Sequence, residues 1–501
     1  MKKRPNVLVF LTDQQRADTI GGLGNGSIRT PVLDRLVDEG VAFTRAYTPS
    51  PVCVPARCSM ATGLYPAQTG CWDNFAMPDR ATSYMEALSS AGYQTHGVGK
   101  MHFTPNFRRS WGFETRDISE EEEHGDYQAF LKDQGYGHVL APHGLRGDYY
   151  YMPQPSQLPA ELHETSWVAD RSISFLEERD RTRPFLLNCH FIKPHPPFEN
   201  PMPWSFLYRM EEMDKPYLPD DFREYQSRVN ILQNRYKYKD RAVGDDLLWR
   251  SMKAAYFGAI SFVDYQIGRV LKSLGPEIDN TIVIFSSDHG EMMGDYGCVG
   301  KRCMLEAATR IPLLVRFPGS ERAGLKVDTA ASLIDISKTC FDLAGVIPND
   351  GMGERQGCNL FELADGKHRN RTVFSQFQAK WMGNYMATDG KHKFMYSAAD
   401  DKKWSFELCD DLTEIPVDTS ETDKVETVAK VNFGSYPNLE AIDGANWRQH
   451  EAIPWPENSD YGLLRQDPSG LEQMLEEIRP YYNGDTRNQK DNLKAIFDHM
   501  P

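Results

Sequence analysis

Asn6-Val7-Leu8-Val9-Phe10-Leu11 is an unbroken apolar run that ends in Thr12-Asp13-Gln14. A short run with no polar alternation predicts a strand buried on both faces, as inside a parallel sheet. Thr30-Pro31 then predicts a helix start, with Thr as cap and Pro at the first helical position. Val32, Leu33, Leu36 and Val37 would form its apolar face and Gly40 its end. Strand-like runs recur at Gln94–Val98, Phe185–Cys189, Thr281–Phe285 and Pro312–Arg316. Helical patterns lie between them at Ser83–Ala91, Ser166–Arg179, Leu247–Leu274 and Ser332–Ala344. Strands alternating with helices predict an α/β fold, a large and mostly parallel sheet sandwiched by helices.

The pattern changes after about residue 370. Tyr385–Thr388, Asp389-Gly390 and Lys391–Tyr396 read as a hairpin with its turn signal at the centre. Ser405–Leu408 reads as a further strand and Leu471–Ile478 as a late helix. The expected organisation is a large α/β domain over 1–369 and a smaller α+β domain over 370–501. The smaller one would carry antiparallel strands and an extended tail. Stretches 201–246 and 410–465 are polar, aromatic and weakly periodic, and read as long loops.

With 501 residues, 40% hydrophobic and 25% charged, the chain has ample material for a core. Its formal charge of −15 argues against non-specific nucleic-acid binding. Screening limits that argument to roughly 8 Å at physiological salt, so a locally basic pocket stays compatible with it. Nine cysteines at irregular spacing match neither a disulfide framework nor a CxxC zinc site. No stretch reaches the ~18 apolar residues that span a bilayer. The expectation is a cytoplasmic protein, or a periplasmic one if a leader has been removed. Homo-oligomerisation is left open, since the tail after 465 could cover a neighbouring subunit.

Ligands in open α/β sheets collect beyond the carboxyl ends of the strands. Two strand ends here carry candidate metal ligands, Thr12-Asp13-Gln14 and Ser286-Ser287-Asp288-His289. Oxygen-rich donors suit hard divalent cations, and one imidazole widens the choice to manganese. Either site alone would more often be a cap or a turn. Cys53-Val54-Pro55-Ala56-Arg57 reads as the start of another helix, where a thiol has a lowered pKa. A lone cysteine there would ordinarily be a buried structural thiol. Gly92-Tyr93-Gln94-Thr95 runs on to Gly99-Lys100-Met101-His102, placing a cation and an imidazole just after a strand.

Together these strings resemble the sulfatases, the formylglycine-dependent branch of the alkaline-phosphatase-like superfamily. Cys53 to Arg57, with Thr62-Gly63 downstream, is similar to the signature C-x-P-x-R, and Gly92 to His102 to the second signature. Lys193-Pro194-His195-Pro196-Pro197 and Asp288-His289-Gly290-Glu291 follow in the family's order, as does Lys301, 13 residues beyond Asp288. Asn74, 11 residues after Gly63, takes the place of a substrate-side Asn found in some branches. Departures are Gln14, where many members have a second Asp, and Ala56 in place of the commoner Ser.

The resemblance implies an enzyme that hydrolyses a sulfate monoester of a small substrate. A maturation enzyme would oxidise Cys53 to formylglycine, whose hydrate attacks sulfur and then expels sulfate. Asp13, Gln14, Asp288 and His289, with the modified Cys53, would hold one divalent metal, calcium first and manganese or magnesium as alternatives. Arg57 would orient the hydrate, Lys100 and Lys301 would bind sulfate oxygens, and His102 would act as base. His195, together with Lys301, would stabilise the leaving oxygen. His190 and Lys193 receive no role. Two other readings stand beside this one. A phosphonate monoester or phosphodiester hydrolase of the same superfamily tends to carry neutral hydroxyl residues in place of Lys100 and His102. A non-catalytic anion-binding relative would leave Cys53 unmodified. Aryl, choline, amino-sugar and uronate esters are not distinguished by these motifs.

Overall fold

The structure, a computed structural model, describes residues 4–121, 125–146, 150–227, 229–230, 246–379 and 383–435. It also gives the backbone of two short strands, Ile442–Asp443 and Asn446–Trp447. The apolar run that opens the chain is strand β1, Asn6–Asp13, with every residue buried. Its side chains alternate between two cores, as period 2 requires. Val7, Val9 and Leu11 enter one core with Val54, Tyr84, Leu88, Ile336 and Phe341. Leu8 and Phe10 enter the other with Leu36, Trp167, Phe175, Val263 and Ile267. Full burial stabilises each such side chain by about 1.5–3 kcal/mol.

The remaining strands of the large sheet are β2 (Val41–Phe43), β3 (Gln94–Gly99), β4 (Thr115–Ile118), β5 (Phe185–Pro194), β6 (Thr281–Ser287), β7 (Leu313–Arg316) and β8 (Leu325–Val327). Their spatial order is β8-β2-β7-β6-β1-β5-β3-β4. Neighbours from β6 to β4 all run parallel. Only β7 departs, lying antiparallel to both β6 and β2. Helices cover both faces, so the expected α/β sandwich is what forms. Helices α1 (Pro31–Glu39), α4 (Glu164–Glu178) and α5 (Asp246–Leu274) supply one core, and α2 (Cys53–Thr62), α3 (Tyr84–Ser90) and α6 (Ile334–Ala344) the other.

The reading of the α1 cap needs correction. Thr30 stands at the N-cap of α1, but its side chain makes no cap bond and donates instead to Asp34 Oδ1 at 2.8 Å. The open N–H groups of Val32 and Leu33 are met by Asp264 of α5, at 3.1 and 2.8 Å. A carboxylate from a packed neighbour satisfies two donors where the local hydroxyl would satisfy one.

The second sheet is antiparallel, with strands Val373–Phe377, Asn384–Thr388, His392–Ser397, Lys402–Leu408 and Glu414–Pro416 in chain order. The hairpin forms about Asp389-Gly390, where Asp389 Oδ1 accepts the N–H groups of Lys391 and His392. Stretch 410–465 is not the plain loop expected. It holds the last of these strands and helix α7, Ser420–Gly434. Val425, Ala429 and Phe433 of α7 are buried against Tyr385, Phe394 and Tyr396 of the sheet. Stretch 201–246 forms short 3-10 turns at Trp204–Phe206, Met210–Glu212 and Phe222–Tyr225. The late helix at Leu471–Ile478 and the tail lie outside the described residues. Among the described residues, no helix is long and apolar enough to cross a membrane.

Candidate active site

Strands β6, β1, β5 and β3 are neighbours and parallel, so their carboxyl ends open on one edge of the sheet. Asp288 follows β6, Asp13 ends β1, His195 follows β5 and Lys100 follows β3. Two glycines allow these turns. A Cβ on Gly99, whose φ is +87°, would stand 1.9 Å from the His190 carbonyl oxygen. A Cβ on Gly290 would stand 2.0 Å from that of Ala307. Helix α2 points its N-terminus at the same edge and has Cys53 as its first residue, where the helix dipole favours an anion.

Cys53 is the meeting point. Lys301 Nζ lies 3.0 Å from its Sγ, His289 Nε2 at 3.3 Å and Asp13 Oδ1 at 3.8 Å. His102 and His195 lie close enough to act on its ionisation. Burial opposes ionisation of the thiol, but Lys301, Lys100 and His289 outweigh it and hold Cys53 well below its ordinary pKa. Arg57, one turn along α2, is buried and donates from Nε to Asp288 Oδ2 at 2.8 Å and from Nη2 to Asp13 Oδ2 at 3.2 Å. Its Nη1 donates to the Lys100 carbonyl, tying the helix to the β3 turn.

Asp13, Cys53, Asp288 and His289 each offer one ligand atom within 4.8 Å of the others, and all four are buried. His289 Nδ1 donates to the Gly290 carbonyl at 3.0 Å, so Nε2 is the ring nitrogen that faces the cluster. Gln14, at a left-handed φ of 69°, gives its amide nitrogen to Glu291, while its Oε1 is buried without a hydrogen-bond partner. That oxygen, two carboxylates and an imidazole nitrogen make a donor set suited to a divalent cation.

Lys100 is fully buried, with Nζ 2.6 Å from Asp13 Oδ2 and bonded to Glu121. Burial opposes its charge, yet Asp13 and Glu121 raise its pKa well above the ordinary value. His195 Nδ1 lies 2.6 Å from the Pro196 carbonyl, and burial followed by Lys301 lowers its pKa, against the pull of Glu121. His102 has φ 55°, and its Nδ1 is buried without a partner.

Ten of the eleven candidate residues thus converge. Asn74 stands apart: it is exposed, and its Oδ1 accepts the Val54 N–H at 3.4 Å, bracing the start of α2. Lys193, given no role from sequence, salt-bridges Glu199 at 3.0 Å and donates to the Pro197 carbonyl at 2.8 Å, bracing the turn that carries His195.

Sequence reasoning missed Glu120, Glu121 and Glu291. Glu120 Oε1 accepts the N–H groups of Met101 and His102 at 3.2 and 2.9 Å, setting the turn after Lys100. Glu121 bonds Lys100 and Arg146. Both belong to the run Glu120-Glu121-Glu122-Glu123, which looks like a solvated acidic stretch. Glu291 was within reach, three residues beyond Asp288 in a motif already singled out.

The family model described as sulfatase matches residues 5–346. The chain belongs to the sulfatase family. A second model, described as the C-terminal region of N-sulphoglucosamine sulphohydrolase, matches residues 294–429. An arylsulfatase of Clostridium perfringens is 30% identical over 82% of this chain and 89% of its own length. A choline-sulfatase of Rhizobium meliloti is 28% identical over 90% of each. A solved phosphonate monoester hydrolase of Agrobacterium radiobacter superposes with a TM-score of 0.71 at 24% identity, covering 82% of this chain and 91% of that one. That last likeness speaks to the fold, which this sulfatase shares with it.

Proposed function

We propose that this sulfatase hydrolyses a sulfate monoester of a small alcohol, using a formylglycine made from Cys53 and a bound divalent metal, calcium first. The observation that carries the reading is the surroundings of Cys53, with Lys301 at 3.0 Å, His289 at 3.3 Å and Asp13 at 3.8 Å from its sulfur. A structural thiol has no need of two buried lysines and three histidines around it, whereas a nucleophile facing an anionic ester does.

Asp13, Asp288, His289 and the unpartnered Gln14 oxygen would hold the metal. When bound, it would polarise a sulfate oxygen and lower the pKa of the nucleophilic hydroxyl. Arg57, fixed by both aspartates, orients the side chain at position 53. Lys100 and Lys301 present cations to the sulfate oxygens in a buried, weakly screened setting. His102, which acts on the ionisation of position 53, would take its proton. His195, buried beside Glu121 and held by the Pro196 carbonyl, would stabilise the leaving oxygen.

A second reading is phosphonate monoester hydrolysis, the activity named for a solved structure of the same fold. Lys100 and His102 in the pocket favour sulfate. The partner needed is a formylglycine-generating enzyme. Mass spectrometry of the tryptic peptide spanning Cys53, after co-expression with that enzyme, should show an aldehyde or its hydrate. An intact thiol under those conditions counts against the reading.

A further inference from the structure

Glu121 stands where an incoming anion would stand. One of its oxygens, Oε1, is bonded to Lys100 Nζ and lies 3.8 Å from His195 Nε2. The other, Oε2, accepts from Arg146 Nη2 at 2.6 Å. Lys100 is one of the two cations assigned above to the sulfate oxygens, and His195 is the imidazole assigned to the leaving oxygen. The carboxylate is mostly buried, whereas Arg146 is half exposed and its guanidinium lies 5.5 Å from the centre of the Tyr150 ring. Glu121 therefore reaches inward from the rim, with its outer oxygen held by a residue that faces solvent.

A buried lysine left without a counter-ion is costly, so Lys100 must be neutralised between turnovers. Asp13 does part of this at 2.6 Å, but Asp13 is also claimed by Arg57 and by the metal cluster. We infer that Glu121 is the resting occupant of the anion site, an internal carboxylate that the sulfate group displaces from Lys100 and His195. The inference rests on the sulfate-hydrolase reading and deepens it. Binding is then an exchange of one anion for another, which weakens affinity for substrate and for released sulfate alike. Glu120, next in the chain, keeps its two main-chain bonds to the Met101 and His102 amides. Glu121 can thus swing away while the turn carrying Lys100 and His102 stays fixed. In a chain of net charge −15, such an exchange also keeps the pocket from becoming a standing trap for inorganic sulfate.

The test is calorimetric titration of inorganic sulfate into the full chain before oxidation of Cys53, so that no turnover intervenes. Glu121→Gln and Glu121→Ala should each bind sulfate roughly tenfold or more tightly than the unaltered protein, the equivalent of losing one charge-assisted competitor. A Glu121 that only supports the fold would lower thermal stability and leave sulfate affinity unchanged or weaker, and that result overturns the inference. If neither the unaltered protein nor the variants bind sulfate, the assignment of the anion site itself fails. Hydrogen exchange on the unaltered protein gives a measurement free of folding defects. Sulfate should speed exchange in the peptide containing Ser119 to Glu121, and slower or unchanged exchange there contradicts displacement.

Discussion

Lys301 Nζ lies 3.0 Å from Cys53 Sγ across a separation of 248 residues. The contact joins the loop after β6 to the first residue of α2 and sets a cation against the atom proposed to react. Lys301→Ala should lower kcat/KM for an aryl sulfate by about 10²–10³, the usual cost of removing one preorganised charge donor, about 2.7–4 kcal/mol. Lys301→Arg should recover part of the loss. Steady-state kinetics check this, and a fall of less than threefold in the alanine variant would remove Lys301 from the site.

Asp13 and Asp288 are fully buried carboxylates that share one guanidinium, Arg57. A bound divalent ion should relieve the remaining charge and stabilise the fold. At free calcium a hundred times its Kd, the gain is about 2.7 kcal/mol. Thermal unfolding should therefore rise with calcium and fall with a chelator, and Asp288→Asn should blunt the response. A melting temperature indifferent to calcium, manganese and magnesium would argue against the cluster as a metal site.

Glu164 is fully buried at the start of α4, and burial pushes its carboxyl up to about 8 against the opposing charge of Lys193. Between the ordinary value and 8, the folded chain keeps a proton that the unfolded chain releases. Stability must then fall as pH rises through that window and level off above it. Glu164→Gln removes the slope, so the variant should gain on the parent by roughly 1–4 kcal/mol between pH 5 and pH 8. Denaturant unfolding at the two pH values checks this, and a pH-independent difference contradicts it.

Lys393 of the antiparallel sheet is fully buried, 3.1 Å from Glu306 Oε1 and 2.9 Å from Glu414 Oε1. Glu414 Oε2 also accepts the Glu306 N–H at 2.9 Å, so the three residues pin the second sheet to the segment after Lys301. Lys393→Met leaves two buried carboxylates facing each other and should cost about 3–5 kcal/mol. Adding Glu414→Gln should restore part of that. Equal stability of the single and double variants would show that the pair is not coupled.

The large sheet was legible because strands buried on both faces read as apolar runs, nearly unbroken in β1 and β6 and interrupted in β5 only by Asn188 before Cys189. Helix α7 was not. Its buried residues Val425, Ala429 and Phe433 are four apart among Thr, Glu and Lys, too narrow a stripe to register, although the Thr419–Thr422 cap was there to be seen. The Asp264 cap of α1 comes from another helix and leaves no local trace. In the site, motif order brought together residues that the strand ends do in fact assemble. Glu121 escaped because an acidic run looks like solvated surface until a fold turns one member inward.

The central claim is that position 53, once oxidised, drives cleavage of a sulfate ester. Its most direct test is the rate of inorganic sulfate release from an aryl sulfate by protein co-expressed with a formylglycine-generating enzyme, beside the Cys53→Ala variant. The account predicts sustained release by the former, faster than cleavage of a matched phosphonate monoester, and none above background by the latter. Undiminished release by Cys53→Ala, or a matured protein that cleaves only the phosphonate, would contradict it.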